Sequence, residues 1–283
     1  MFQVYRQGEI RPRVKEAKNG TVVAVGNFDG VHVGHQKVLK AAQDEAKKRK
    51  LPLAVVTFEP HPKVVLRPDE PLQRITPFAD KARLLKENGA DMVYVVKFSK
   101  AYAQNHPEVF INDTLKTALN AHCVVVGQDF RFGHKRAGGV DTLHGNGFDV
   151  AAVELAKNEE EEYSSSLIRA HIAAGEMEQA QALLGRPQTM RLKFTEDDHL
   201  NLVAPIGRYI RPKDGLYFAQ LGYNETFVDD GTGEEVAQPT ETVVSIKGWQ
   251  MFIPPTEKRP DTPKKPIDVH MMQKIDLKQM LAG

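Results

Sequence analysis

The sequence predicts an α/β fold: a doubly wound parallel sheet of the Rossmann type, followed by a small antiparallel β domain. Over the first two thirds of the chain, continuous apolar runs alternate with amphipathic stretches, as in parallel sheets that helices cover on both faces. Beyond residue 187 the strand-like runs are shorter and are separated by Gly, Asp and Asn turns, which favours an antiparallel sheet. We therefore expect two domains, at residues 1–187 and 188–283.

Five strands are predicted in the first domain, each a run of mainly apolar or β-branched residues. They cover residues 21–25, 53–58, 92–96, 123–126 and 148–153. Helices with apolar residues on one face are predicted between them, over residues 35–50, 77–88 and 108–119. Because parallel sheets of this kind bind ligands at the carboxyl ends of their strands, the loops after the strands are where we expect the site.

In the second domain, strands are predicted over residues 200–203, 215–221 and 242–246, so that a small β-barrel is expected. The proline-rich residues 254–263 are expected to form a stiff linker or an extended surface segment. Residues 269–281 are expected to form a C-terminal helix.

Composition and charge exclude several classes of protein. The chain has 283 residues, with 38 Lys and Arg against 37 Asp and Glu and a net charge of +1, which argues against bulk electrostatic binding to nucleic acid. The single cysteine, Cys123, excludes an intramolecular disulfide framework and a cysteine-rich metal site. No apolar run approaches the ~18 residues of a membrane span, and the N-terminus lacks a signal-peptide apolar region. We expect a cytoplasmic protein that binds neither nucleic acid nor membrane; its oligomeric state is left open.

The strongest functional signal, GNFDGVHVGH at residues 26–35, directly follows the first predicted strand. Its glycines permit a tight turn, and the helix that begins near Gly34 directs N–H groups into that turn, which makes an anion site. His32 and His35 can both reach one phosphate and stabilise the negative charge of a transferring phosphoryl group. The alternatives are a zinc pair or two ordinary surface histidines. Zinc is disfavoured because no Cys, His or Glu cluster supplies further ligands nearby.

The same segment resembles the His-x-Gly-His signature of the nucleotidylyltransferase superfamily. The longer string GNFDGVHVGHQKVL is similar to one branch, the prokaryotic FAD synthetases, or FMN adenylyltransferases. Three further segments resemble motifs of that family and occur in its order: TFEPHP at residues 57–62, VGQDFRFG at 126–133 and SSSLIR at 164–169. The resemblance runs from about residue 22 to residue 187, and four ordered motifs make it specific.

The resemblance implies the reaction and the site. It implies that the adenylyl group of ATP passes to FMN, giving FAD and pyrophosphate. It also implies that Mg²⁺ bridges the phosphates, and no residue of the chain is predicted to bind a metal. The residues that it places in catalysis are His32, His35 and Arg169. Those that it places at ATP are Gly26, Asn27, Phe28, Asp29, Gly34, Ser164, Ser165 and Ser166. Those that it places at the flavin are Phe58, His61, Phe98, Asp129 and Arg131.

The serine-led segment also has an interpretation from its own chemistry. Residues 164–166 precede an apolar periodic run, which predicts a helix N-cap. Members of the family carry Ser-Ser-Thr-x-x-Arg here, so Ser166 keeps the hydroxyl of the threonine that it replaces. Many of them have an arginine where this chain has Leu167, a loss for which Lys135 or Arg136 could compensate. We expect this segment and the glycine turn after the first strand to bind the same triphosphate.

Several of these residues also have a structural interpretation. Asp129 could place the nucleotide, a metal or the flavin phosphate, or it could be a turn aspartate that accepts from backbone N–H groups. Phe58 and Phe98 could form a wall that faces the flavin, or they could belong to the core. Prolines on both sides of His61 fix its loop near the site. The acidic run at residues 159–162 is interpreted as a solvated loop face.

The second domain departs from the family pattern. FAD synthetases usually carry a C-terminal riboflavin kinase domain marked by Pro-Thr-Ala-Asn, a motif that this chain lacks. The chain has valine near residues 242–244, where relatives place a catalytic Glu, although residues 210–217 do resemble a strand entry of that domain. We therefore expect a shortened, degenerate kinase barrel without riboflavin kinase activity.

Three other functions stay open at this point. The first is a bifunctional riboflavin kinase/FMN adenylyltransferase. The second is a sister transferase that uses another acceptor, such as nicotinamide mononucleotide or phosphopantetheine. The third is a flavin-sensing regulator without turnover. In each case the expected partners are small molecules.

Overall fold

The computed structural model describes residues 2–8, 15–70, 72–154, 164–222, 240–255 and 266–276. By its internal contacts the chain divides into two compact units. The first unit consists of Met1–Leu72 and Phe78–Tyr163, and the second of Gln73–Pro77 and Ser164–Gly283. The domain boundary expected after residue 187 stays a prediction.

Six parallel strands form one sheet in the described part of the first unit. They are β1 (Gln3–Arg6), β2 (Thr21–Val25), β3 (Leu53–Glu59), β4 (Met92–Lys97), β5 (Ala121–Gly127) and β6 (Asp149–Val153). Their order across the sheet is β1-β4-β3-β2-β5-β6. The chain proceeds from β2 to β3 on one side and later reaches β5 on the other, so the topological switch point lies beyond the carboxyl ends of β2 and β5. The five expected strands and their parallel pairing are confirmed.

Helices separate these strands, as the apolar periodicity predicts. They are α1 (Val33–Arg49), α2 (Pro62–Leu66), α3 (Phe78–Glu87), α4 (Pro107–Val109), a π-helix (Phe110–Ala118) and α5 (Val140–Gly145). Short 3₁₀ turns cover Lys15–Ala17, Tyr102–Gln104 and His134–Arg136. The helix expected over residues 108–119 is therefore present, but most of it has π geometry, which is rare and is often found at functional sites.

Both faces of the parallel sheet are buried, because alternate residues of each strand point to opposite faces. On one face, Val23 belongs to an apolar cluster with Phe110 and Leu115 of the π-helix. On the other face, the neighbouring Val22 belongs to a cluster with Leu39 of α1. This two-sided burial explains why the strands are continuous apolar runs rather than alternating ones.

Seven strands form an antiparallel sheet in the described part of the second unit, and two helices precede them. The helices are α6 (Ser165–Ala174) and α7 (Met177–Leu184). The strands are β7 (Gln188–Leu192), β8 (Thr195–Glu196), β9 (Leu202–Pro205), β10 (Gly215–Gly222), β11 (Thr240–Lys247), β12 (Gln250–Ile253) and β13 (Ile267–Lys274). Their order is β7-β13-β10-β11-β12-β9-β8. The expected antiparallel domain is confirmed.

The expected C-terminal helix is wrong where the structure describes it. The residues from 269 to 274 belong to β13, which pairs antiparallel with β10 and with β7. Ile267, Val269 and Met271 are fully buried at alternate positions, the period of a strand with one face on a core. Residues 277–283, most of the proline-rich segment and the acidic run at 159–162 lie outside the described residues.

Candidate active site

An open cavity of about 660 Å³ lies beyond the carboxyl ends of β2, β3, β4 and β5. Its volume is in the range of small-molecule sites, about 300–1,000 Å³, and its place is the topological switch point of the sheet. The predicted residues that line it are Gly26, Asn27, Phe28, His35, Phe58, Phe98, Asp129 and Arg131. Residues expected at ATP and residues expected at the flavin therefore share one cavity in the first unit.

The turn after β2 has an unusual backbone. Gly26 N donates to Val56 O (3.1 Å), which ties the start of the turn to β3, and Val31 N donates to Phe28 O (3.2 Å). The φ angles of Phe28, Gly30 and Val31 are +51°, +87° and +40°. Only glycine adopts positive φ without strain, and for a β-branched residue such as Val31 it is an outlier that costs about 1–3 kcal/mol. Such strain persists where packing fixes the turn, and Phe28 and Val31 are both buried.

The two histidines of the turn lie against each other at the start of α1. His32 is the N-cap of α1, and its Nδ1 accepts from His35 N at 3.4 Å. The imidazole rings are stacked, with centroids 3.6 Å apart and planes inclined by 24°. His35 Nδ1 is buried, without a hydrogen-bond partner among the described residues. Burial, then the charge of His32, then the charge of Lys81 lower the pKa of His35 well below 6.5, so that His35 is neutral at pH 7 in the ligand-free protein.

Behind the turn lies a lysine that the sequence interpretation missed. Lys81 of α3 has no solvent exposure, and its Nζ donates to Asn27 O (3.1 Å), Thr57 Oγ1 (3.0 Å) and Glu59 Oε1 (2.8 Å). Thr57 Oγ1 itself donates to Asn27 O at 3.0 Å. Lys81 therefore joins the turn after β2 to the end of β3 through buried hydrogen bonds.

Aromatic rings form one wall of the cavity. Phe58 lies edge-on to Phe98 (centroids 6.0 Å apart), and Phe98 contacts Tyr102 (5.9 Å). Phe58 also lies 6.2 Å from Phe110 of the π-helix, which in turn contacts Phe132 at 5.4 Å. Phe58 and Phe98 are both half-buried and line the cavity. A wall of this kind suits a planar aromatic ligand.

Burial raises the pKa of Tyr102 in this wall to about 12, so its hydroxyl is protonated at physiological pH. The Tyr102 side chain is therefore uncharged. Phe110, Phe130, Phe132 and Tyr102 were not among the predicted site residues. The alternation of Phe130 and Phe132 in the motif was a signal for them, and both line the cavity.

The rim of the cavity is basic. Lys135 and Arg136 are exposed and line it, and both have positive φ (+53° and +61°) in the 3₁₀ turn after β5. Arg131 is also exposed, and its Nη1 donates to Phe130 O at 2.8 Å. Asp129 is the acidic residue of this loop, and it too is exposed. The rim therefore places positive charge beside the cavity, which favours binding of an anionic ligand.

Four predicted residues of the first unit do not line the cavity. Asp29, His32 and Gly34 are buried within the turn and the first residues of α1. His61 is the N-cap of α2, where its Nδ1 accepts from Lys63 N at 3.1 Å. The contribution of His61 to a flavin site stays a prediction.

The serine-led segment begins α6, which belongs to the second unit. Ser164 Oγ accepts from Leu167 N at 3.2 Å, so the predicted N-cap is confirmed. The guanidinium of Arg169 donates to Gln73 O (3.1 Å) and to Ser165 O (3.0 Å). The shared triphosphate of this segment and the turn after β2 stays a prediction.

In the part of the chain that the structure describes, no three or more His, Cys, Asp or Glu residues are grouped so that they could hold a metal ion. Magnesium does not need such a group, because it is commonly bound by substrate phosphates, waters and one or two carboxylates. A Mg²⁺ ion at this site would therefore be one that enters with a nucleotide and is held mainly by its phosphates.

Residues 14–167 match the FAD synthetase family. A bifunctional riboflavin kinase/FMN adenylyltransferase of Listeria monocytogenes is 36% identical over 234 residues, which are 74% of this chain and 74% of that protein. The protein of the same description from Bacillus subtilis is 34% identical over 281 residues, 95% of this chain and 83% of the relative. The one from Escherichia coli K12 is 33% identical over 220 residues, 74% and 70% of the two chains.

The fold is also similar to that of a solved structure described as a macrolide-efflux protein from Streptococcus pneumoniae. The TM-score is 0.80 at 25% identity, and the match covers 97% of this chain and 100% of the other. Among the helices that the structure describes, none is both long enough and apolar enough to cross a membrane.

Proposed function

The chain belongs to the FAD synthetase family and is a nucleotidyltransferase, and from this premise we propose that it transfers the adenylyl group of ATP to FMN. A phosphate oxygen of FMN attacks the α-phosphorus of ATP in line, a P–O bond forms as the bond to pyrophosphate breaks, and FAD and pyrophosphate leave. The observation that supports this most is one cavity with His35 and the strained turn on one side and an aromatic wall on another.

In this proposal the histidines act on the phosphates. A neutral imidazole donates one hydrogen bond, and it becomes a cation when phosphate charge beside it raises its pKa. His35 and His32 would therefore bind the α- and β-phosphates and stabilise the charge that develops on them. Because phosphoryl-type transfer asks for little covalent chemistry from the protein, most of the acceleration comes from position and charge.

The aromatic wall would hold the flavin ring, and the basic rim would meet its phosphate. Phe58 and Phe98 offer ring faces and edges to the isoalloxazine, and such aromatic contacts are worth about 0.5–1.5 kcal/mol each beyond their buried area. Arg131, Lys135 and Arg136 supply the positive charge that two anionic substrates need when they approach each other. Asp129, which also lines the cavity, is the remaining candidate for flavin binding at this rim.

A role in ATP binding is proposed for the serine-led segment at the start of α6. Ser165, Ser166 and Arg169 would bind the β- and γ-phosphates, and a Mg²⁺ ion bound with the nucleotide would supply positive charge that stabilises the leaving pyrophosphate. A kinase activity is not part of the proposal, because the chain lacks Pro-Thr-Ala-Asn. The relatives are named as bifunctional proteins, which makes the bifunctional alternative the one to test beside it.

The test is product analysis by chromatography with the purified chain. With ATP, Mg²⁺ and FMN we expect FAD and pyrophosphate in equal amounts. With riboflavin in place of FMN we expect neither FMN nor FAD, and formation of FMN would establish the bifunctional alternative. Nicotinamide mononucleotide and phosphopantetheine are tested as acceptors in place of FMN, and adenylylation of either one would identify the chain as a sister transferase. Tight flavin binding without any turnover would refute the proposal in favour of a flavin sensor.

A further inference from the structure

Lys81 is fully buried, and its ammonium group donates to three protein oxygens. An ammonium has three N–H donors, and Nζ has three acceptors at 2.8–3.1 Å, on Asn27, Thr57 and Glu59. These acceptors come from the turn after β2 and from β3. Since the donors are already matched by protein oxygens, Lys81 is placed to hold the protein together rather than to contact a substrate.

Neutralising Glu59 does not by itself explain this lysine. Glu59 retains 19% exposure of its side chain, whereas Lys81 has none, so the carboxylate has water access and the lysine bears the larger cost of desolvation. An ion pair between Lys81 and Glu59 does not require the hydrogen bond from Lys81 Nζ to Asn27 O. Asn27 directly precedes Phe28, the first of the positive-φ residues in the turn. A strained turn persists only where its surroundings fix it.

We propose that Lys81 is a positioning residue that fixes the strained turn after β2 against β3, and so sets where the nucleotide phosphates lie relative to the flavin wall. Thr57 and Glu59 flank Phe58 on β3, so the same lysine contacts both the strand that carries the wall and the turn that leads to His35. The inference rests on the proposed function for the identity of the two ligands. The hydrogen bonds from Lys81 to the turn and to β3 do not depend on that identity.

The first test replaces Lys81 with Met in the full-length chain, and Lys86→Met, an exposed position of the same helix, is the matched control. The turn relaxes while the central strand β3 stays in place. We therefore expect kcat for FAD formation to fall about 100-fold, the effect of a displacement near 1 Å, and affinity for Mg·ATP to weaken about tenfold. FMN affinity, measured by quenching of flavin fluorescence, should stay within about twofold, as should every constant of the control.

A second pair of variants avoids the unpaired buried carboxylate that Lys81→Met leaves behind. Thr57→Val keeps the shape and the ion pair but removes the hydroxyl that contacts both Asn27 O and Lys81 Nζ. We expect it to weaken Mg·ATP binding about fivefold, and Thr57→Ser, which keeps the hydroxyl, to recover most of that loss. If the hydroxyl were merely structural, Thr57→Val would melt at a lower temperature than Thr57→Ser, but the two variants would bind Mg·ATP with equal affinity.

The double variant Lys81→Met with Glu59→Gln completes the design, because it removes the charge imbalance and leaves the bond to Asn27 broken. We expect it to melt at a higher temperature than Lys81→Met while kcat and ATP affinity stay low. Recovery of kcat and ATP affinity in the double variant would overturn the proposal in favour of charge balance. Unchanged ATP affinity in Lys81→Met would also overturn it, and so would an equal loss of ATP and FMN binding in that variant. If the wild-type chain makes no FAD, the proposed function fails, whereas ATP titration of the Lys81 and Thr57 variants still tests this inference.

Discussion

Replacing His35 with Asn should remove both a rate contribution and a proton that the protein takes up with ATP. In the free protein the His35 ring is stacked on His32 and lies edge-on to Phe28, 5.2 Å between centroids. Burial first, then the charges of His32 and Lys81, hold the pKa of His35 below its ordinary value of 6.5. Asparagine keeps a polar amide at this place but does not titrate.

A bound triphosphate reverses this electrostatic balance. A phosphate charge about 4 Å from an imidazolium attracts it by about 4 kcal/mol at an effective dielectric constant near 20, which raises the pKa of the ring. Because the bound-state pKa of His35 then exceeds the free-state pKa, protons are taken up on binding. Affinity therefore rises as pH falls through the bound-state pKa, by at most about tenfold per pH unit for one proton, and levels off below the free-state pKa.

Calorimetric titration of Mg·ATP in two buffers of different ionisation heat measures this uptake between pH 6.5 and 8.0. Wild type should take up a fraction of a proton that grows toward low pH. His35→Asn should take up less, and the difference between the two proteins at each pH is the contribution of His35. His144→Asn, an exposed histidine of α5, is the matched control and should behave as wild type. The kcat for FAD formation should fall about 10²–10³-fold in His35→Asn, as when one charge-stabilising donor is lost. It should not fall in His144→Asn.

Equal proton uptake by wild type and His35→Asn would show that His35 does not meet the triphosphate. The nucleotide's own protonation is common to both proteins and cancels in the comparison. A kcat within about threefold of wild type would likewise remove His35 from the group of donors that stabilise the transferring phosphate. Either result would require another part of the cavity to bind ATP.

Two further predictions concern the flavin wall and the second unit. Phe98→Ala removes a ring that contacts Phe58 and Tyr102, so the Kd for FMN in a fluorescence titration should rise about tenfold while the Kd for Mg·ATP does not change; equal weakening of both would argue against a flavin wall. Arg191→Met leaves the buried carboxylate of Asp268 without its bidentate partner (2.8 and 3.2 Å). Because Arg191 is partly exposed, we expect about 2 kcal/mol lower unfolding stability in urea, and an unchanged midpoint would contradict the importance of this pair.

The parallel sheet could be predicted because its strands are buried on both faces. Runs such as the one in β2 then become continuously apolar, and the turn residues that follow mark where each strand ends. β1 was missed for the opposite reason: it is a four-residue edge strand, QVYR, in which no residue is fully buried. Among the described residues it pairs with β4 alone, far along the chain, and a contact of that range leaves no local pattern.

The C-terminal strand was mispredicted because propensity and tertiary pairing disagree there. Residues 267–274 contain Met, Gln, Lys and His, and they lead into a segment rich in helix formers. The alternation of Ile267, Val269 and Met271 was the competing signal, and it agrees with the observed burial. Two neighbours, β10 and β7, hydrogen-bond to this segment from both sides, so pairing decides the conformation and intrinsic preference does not.

The site divides in the same way between local and long-range information. The turn at residues 26–35 and the N-cap at Ser164 are local, since glycine, histidine and serine act on backbone groups a few residues away. Lys81 depends on oxygens from two other segments, but its own helix did contain a signal. Lys81 precedes Leu84 and Leu85 by three and four positions, so it lies on the buried face of α3. A lysine on an apolar face requires a buried acceptor; the sequence could therefore have indicated that Lys81 binds something, whereas only the fold identifies Asn27 as its partner.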